Sequence, residues 1–385
     1  MMLDLLLVAA GIGAAVGGYR LGFLARVTSW LGLALGVLVG TLLLPEILER
    51  LEDASDATIA FVAICALAGT ALIGQAAGLV LGSRMHIALP AGPARTTDRV
   101  AGGVAGVLGM LVGLWLLLPT LGDIPGWTSE QARSSVIARA VSHRFPPAPD
   151  TIQALRRLVG DDPFPTVFDR LTPAPEVGAP PVSTGLSQAT VDAVMPSIVK
   201  VEGEACGRIQ EGSGFFVTET LVVTNAHVVA GEDDTDIELS DGRDADATVV
   251  AFDPVRDLAI LRSEVAGPPL PLDGAEVGDT GGVFGHPGGG PLEISPFQVG
   301  DQITAQGRDI YDRGASEREV LVLAANLAPG DSGSALIDPD GEVIGVAFAI
   351  APDEPGVAYA LAIEELQAVL AGDLSVERDT GECLI

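Results

Sequence analysis

The stretch "LAPGDSGSALI" (327–337) places Ser332 in a turn built from Pro329, Gly330, Asp331 and Gly333. Those residue types make ordinary turns, and they also make turns that present a nucleophile. A serine hydroxyl attacks a carbonyl carbon only when a base removes its proton, and that base needs a third group to hold its tautomer. The chain has four histidines. His86 falls between apolar runs and His143 in a connector, which leaves His227 and His286. His227 ends a hydrophobic strand in "TLVVTNAHVVAG", whereas His286 sits in the Pro/Gly loop "VFGHPGGG". A strand end gives a base a fixed position, so His227 is the better candidate. Asp257, in "DPVRDLAILR", heads an apolar strand where its carboxylate can be buried beside an imidazole. Asp253 is its rival, but Asp253-Pro254 reads as a turn. Each residue alone has a bland reading as turn, structural histidine or surface acid; the three together specify general-base-assisted acyl transfer.

The elements that must hold these residues are strands. From about residue 196, short Val/Ile/Phe-rich runs ("SIVKVEG", "SGFFVT", "TLVVTN", "ATVVAF", "LAILR", "GGVFG", "REVLVLAA", "SALI", "EVIGVAFAI") alternate with Gly, Asp and Pro. Only "AIEELQAVLAG" (362–372) has helical spacing. The run "EDDTD" (232–236) reads as a solvated loop. An all-β domain with the order His227, Asp257, Ser332 matches chymotrypsin-like double β-barrels and excludes the subtilisin and α/β-hydrolase orders.

The first third of the chain is different in kind. Apolar runs near 3–19, 28–48, 58–82 and 101–121 approach the roughly 20 residues that cross a bilayer. A cleaved signal peptide fits the first run poorly, because Asp4 stands where a basic residue is expected; buried soluble helices are the other alternative. Arg20 and Arg26, then Arg84, Arg95 and Arg99, make the first and third loops basic, and "EILERLEDASDA" makes the second acidic. Basic loops stay in the cytoplasm, so both termini and everything after residue 122 are expected outside it. Gly11, Gly13, Gly17 and Gly18, with Gly32, Gly36 and Gly40, offer small faces for close helix packing. No span carries a central charge, which disfavours a transport path.

The sequence therefore divides into a four-span membrane domain (1–122), a connector with short helices and a Pro-rich linker (123–187), and a β domain (188–385). The span 186–385 holds 37 acidic and 9 basic residues, nearly all of the chain's net charge of -30. Such a surface excludes nucleic acid as a partner. Cys65 reads as a packing residue inside the third span. Cys206 and Cys383 both fall in the outward domain, where a disulfide is expected and two unrelated thiols are the alternative.

"TNAHVV", "DLAIL" and "GDSGSAL" resemble the three catalytic blocks of trypsin-like proteases, closest to the HtrA branch. The apolar third resembles the colicin V production-type membrane domain. Together with the two outward cysteines, the chain resembles the MarP-like actinobacterial membrane-anchored serine proteases. The resemblance implies Ser332 as nucleophile, His227 as base, Asp257 as orienting acid, and the N–H groups of Gly330 and Ser332 as oxyanion hole. It implies Phe348 and Ala349 on a substrate cleft for peptides of the cell envelope, an association with acid resistance, and neither cofactor nor metal. It says nothing of oligomeric state. Ser334 departs from the family's second glycine, and no "IVGG"-type N-terminus exists to pair with Asp331. About 50 residues follow Ser332, so no PDZ domain is expected. A catalytically silent binding module and a transporting bundle are the alternatives.

Overall fold

A computed structural model describes residues 2–48, 56–90, 92–123, 126–145, 167, 173–205, 208–311 and 313–384. It forms two compact units, Met1–Leu121 with Gln131–Asp161, and Gly122–Glu130 with Asp162–Ile385.

In the first unit the apolar runs become α1 (Met2–Leu21), α2 (Phe23–Leu48), α3 (Asp56–Ala88) and α4 (Pro93–Asp123). Among the described residues these four helices are long and apolar enough to cross a membrane. Leu5, Ile12, Leu31, Leu42, Leu72 and Ile73 are all exposed, an outer surface suited to lipid. The helices meet where side chains are smallest. A Cβ on Gly32 would lie 2.1 Å from the Gly74 carbonyl oxygen, and one on Gly36 would lie 2.2 Å from that of Thr70. Gly18 faces Gly102 in the same way, while Gly13 has open space. Close backbone approach is how helices gain dispersion energy in lipid. Gly32→Leu is therefore expected to lower the unfolding temperature of the detergent-solubilised chain sharply, and Gly13→Ala to leave it unchanged.

Two details, His86 and Cys65, differ from the sequence reading. His86 is not in a loop: it lies within α3, buried, with Nδ1 2.5 Å from Asp98 Oδ2, while Leu24 N donates to Asp98 Oδ1. Cys65 is exposed rather than packed. Asp4 accepts from Ser135 Oγ and Ile137 N, so it holds the start of a connector helix. The connector's short helices include α5 (Trp127–Ser134) and α6 (Val136–Arg144), divided at the N-cap Ser135. Residues 150–160 of the connector, where "DTIQALRRLVG" also has helical spacing, lie outside the described residues.

The second unit holds, among the described residues, twelve strands in two closed six-stranded barrels. The first contains β1 (Ile198–Ala205), β2 (Arg208–Phe216), β3 (Leu221–Thr224), β4 (Thr235–Leu239), β5 (Asp244–Asp253) and β6 (Leu258–Ser263). The second contains β7 (Thr280–Gly285), β8 (Glu293–Arg308), β9 (Ala315–Ala325), β10 (Ala335–Ile337), β11 (Val343–Ile350) and β12 (Val357–Ala362). A short helix, α7 (Gln188–Val194), precedes the first barrel, and another, α8 (Ala226–Val229), follows β3. The C-terminal helix α9 (Ile363–Leu370) turns Ile363, Leu366 and Val369 inward.

Each barrel has its own apolar filling, and a third cluster joins them. Val199, Val222, Ile237 and Leu261 fill the first barrel; Phe297, Leu321, Leu323 and Leu336 fill the second. Phe215, Val223, Phe284, Val346 and Phe348 pack between them with α9. In β12, Ala358 and Ala360 point into the barrel while Val357, Tyr359 and Leu361 point into the joint cluster. A strand buried on both faces shows no polar alternation.

The Pro-rich linker lies against the second barrel over its described length. Ala174 N donates to Asp353 Oδ2 at 3.0 Å, and Val177 fills the space a side chain at Gly300 would need.

Candidate active site

Antiparallel pairing of β3 with β6 (Thr224 opposite Ala259) brings the residues after one strand beside the residue before the other. His227 sits on the helical turn α8 rather than on the strand itself. Asn225, just ahead of that turn, donates from Nδ2 to the Asp257 carbonyl oxygen at 2.8 Å. Asp257 is fully buried and adopts a left-handed φ of 61°, a conformation that aspartate tolerates better than most residues. Its carboxylate accepts from the His227 backbone N–H at 2.9 Å and lies 2.8 and 3.0 Å from His227 Nδ1. A carboxylate only accepts, so Nδ1 donates its proton in this pair and Nε2 is left outside it.

The turn that carries Ser332 is built by its composition. Asp331 N donates to the Ala328 carbonyl at 3.0 Å, Pro329 occupies the second position, and Gly330 takes φ 96° at the third: a type II turn that demands glycine there. Ser332 is 5% exposed. Among the described residues, its hydroxyl makes no hydrogen bond to His227 Nε2; such contacts commonly tighten only around substrate. The N–H groups of Gly330 and Ser332 donate to no acceptor among the described residues.

Asp331 is buried beneath the turn, and desolvation pushes its carboxyl up to about 6. Oδ2 accepts from Ala328 N at 2.9 Å, so the acid is used within its own loop. Ser334 fits because Gly285 lies opposite: a Cβ there would come 2.2 Å from Ser334 Oγ.

His286, the rival base, points away from this role. Its Nδ1 lies 3.0 Å from the Gly290 carbonyl, and burial pulls its pKa down. Phe348 is wholly buried in the joint cluster, and Ala349 is buried behind a register shift of β11 on β12. The Phe348 ring thus supports the strand from inside. Cys206 lies outside the described residues, and Cys383 packs against Gly231 just beyond α8.

Sequence reasoning missed Arg318. This guanidinium is 2% exposed, donates from Nε to the Val255 carbonyl at 2.7 Å and from Nη2 to that of Arg308 at 2.8 Å, and stands 5.8 Å from the Phe348 ring centroid. It anchors the segment that ends in Asp257. Its only sequence signal was a basic residue opening the apolar run of β9.

Both parts of the chain match known protein families. Residues 212–346 match the trypsin-like peptidase domain family, and residues 3–145 match the colicin V production protein family. The serine protease Rv3671c of Mycobacterium tuberculosis is 33% identical over 380 residues, spanning 96% of this chain and 95% of the relative. The putative serine protease HhoA of Synechocystis is 33% identical over 168 residues, 41% of this chain and 42% of the relative. The crystal structure of the M. tuberculosis Rv3671c protease in its active form superposes with a TM-score of 0.52 at 34% identity, covering 59% of this chain and all of that one.

Proposed function

Because the chain belongs to the family of trypsin-like serine proteases that includes Rv3671c, we propose that it is an endopeptidase that cleaves peptide bonds through His227, Asp257 and Ser332. The observation that carries this reading is the buried Asp257 carboxylate on His227 Nδ1, beside a turn that leaves two N–H groups free. Ser332 Oγ attacks the scissile carbonyl as His227 Nε2 takes its proton, and Asp257 stabilises the imidazolium that forms. The Gly330 and Ser332 N–H groups receive the oxyanion, each worth about 3 to 4 kcal/mol. His227 then protonates the leaving amine, and water repeats the sequence on the acyl-enzyme.

The helical unit anchors the enzyme in the cytoplasmic membrane, with the protease unit outside. Basic first and third loops support that orientation. Substrates are then proteins or peptides of the cell envelope. A role in acid or envelope stress agrees with a domain whose excess of carboxylates is neutralised as pH falls.

Cys206 and Cys383 form a disulfide in this reading. Cys383 stands beside Gly231, where Thr380 O accepts from Gly231 N, so the bridge would strap the C-terminus to the first barrel. Non-reducing peptide mapping is expected to yield one linked peptide; two alkylatable thiols in the native protein would remove the bridge from this reading. Function itself is tested with the full chain in detergent: wild type should cleave casein and Ser332→Ala should not, and a reporter fused after residue 190 should be active only outside the cytoplasm. Equal cleavage by both forms would refute the assignment.

A further inference from the structure

We infer that Ser213, on β2 of the first barrel, is a positioning residue that sets the oxyanion hole of the second; this rests on the active-site reading above. The peptide units of the nucleophile turn can be accounted for one by one. In a trans peptide the C=O and N–H point in opposite directions, so pinning one fixes the other. The Pro329 carbonyl accepts from Gly288 N at 2.6 Å, which turns the Gly330 N–H away from that loop. The Gly330 carbonyl accepts from Ser213 Oγ at 2.7 Å. The Asp331 carbonyl accepts from Ser334 N at 3.1 Å, which aims the Ser332 N–H. The Ser332 carbonyl accepts from Ser213 N at 2.8 Å.

Ser213 therefore grips the turn twice, with its backbone on the Ser332 carbonyl and with its hydroxyl on that of Gly330; these bonds fix the two peptide units that flank the one carrying the Ser332 N–H, so that donor is held from both sides rather than pinned directly. The hydroxyl is itself oriented, since it accepts from His286 N at 2.8 Å, and the Ser213 carbonyl accepts from Thr224 Oγ1 at 2.8 Å. Ser213 is fully buried, so water does not replace the hydroxyl when it is removed. The 286–290 loop completes the clamp: a Cβ on Gly330 would come 2.4 Å from the His286 carbonyl oxygen and 2.7 Å from Gly288 N. The "GHPGGG" segment, which resembled a second base by its histidine, thus acts through its backbone. Without the Ser213 hydroxyl, the Gly330 carbonyl and the His286 N–H lose their common partner, and the turn is free to rotate its donors out of the site.

The test uses the full chain in detergent with a fluorogenic peptide cleaved by the wild type and a peptide boronic acid, whose tetrahedral adduct mimics the oxyanion. Ser213→Ala is expected to lower kcat about 10- to 100-fold, less than outright loss of an oxyanion donor costs. KM should change less than about twofold, because ground-state binding does not use the hole. Boronate affinity should fall in parallel with kcat, which a merely structural role would not produce, and Ser213→Thr, which keeps the hydroxyl, should recover most of both. If Ser213→Ala does not fold, Ser213→Cys replaces it as the variant with a weakened donor. Wild-type kcat and boronate affinity in a folded Ser213→Ala or Ser213→Cys would overturn the proposal while leaving the triad standing; a wild-type chain that neither hydrolyses peptide nor binds boronate would overturn both.

Discussion

Ser332→Ala is expected to reduce kcat for peptide hydrolysis by about a million-fold, and His227→Ala by a similar factor, with the fold intact in both. The two residues act as one unit, so the double variant should be no slower than either single one. Asp257→Asn should cost about ten-thousand-fold, because an amide can donate to Nδ1 and so stabilise the wrong imidazole tautomer. That variant also weakens the acceptor for the His227 backbone N–H, so it should lose some stability as well, unlike Ser332→Ala. Single-turnover kinetics with circular dichroism on the same samples separates lost chemistry from lost structure. Residual activity within tenfold of wild type in Ser332→Ala would mean that another group is the nucleophile.

The unfolding midpoint of the protease unit is expected to rise as pH falls from 8 toward 5. Glu232 is 5% exposed, with Oε2 accepting from Thr235 Oγ1 at 2.6 Å, and burial pushes its carboxyl up to about 7 from the usual 4.5. Between those values the folded state holds a proton that the unfolded chain has released. The stabilisation is fully present below about pH 4.5 and is lost as pH climbs through about 7. Its span is about 3 kcal/mol. Asp331, raised to about 6 from 3.8, acts with the same sign over its own window. Glu232→Gln should flatten the upper part of the profile and stabilise the protein most at pH 8. Denaturant midpoints of the full chain in detergent between pH 5 and 8 check this; a midpoint that falls on acidification would contradict it. An enzyme with these two buried acids gains stability under conditions that unfold proteins whose carboxylates are paired.

The part of this molecule written most plainly in its sequence was the order of three residues. His227, Asp257 and Ser332 each lie at a break in an apolar run, and such breaks survive in a one-dimensional reading. The double-barrel fold followed from that order and from the strand texture. Ser213 and Arg318 were illegible because their roles are set by register: Ser213 faces Gly330 only after the two barrels meet, and Arg318 reaches Val255 only when β9 is in place. Strands β4, β8 and β12 were missed for a related reason. "TDIEL" hides in an acidic run, β8 carries Pro296 and Asp301, and β12 is apolar on both faces. Glu232 was taken for a surface acid because four acidic neighbours within "EDDTDIE" concealed a buried one. His86 escaped similarly, since its partner Asp98 lies on another helix.

The central claim is that Ser332 is an activated nucleophile. Treating the folded full chain with a fluorophosphonate probe and mapping the adduct by mass spectrometry tests it most directly. A single phosphonylated residue at Ser332, absent in His227→Ala, is the predicted result. A folded wild-type chain that remains unlabelled, or that is labelled elsewhere, would contradict it.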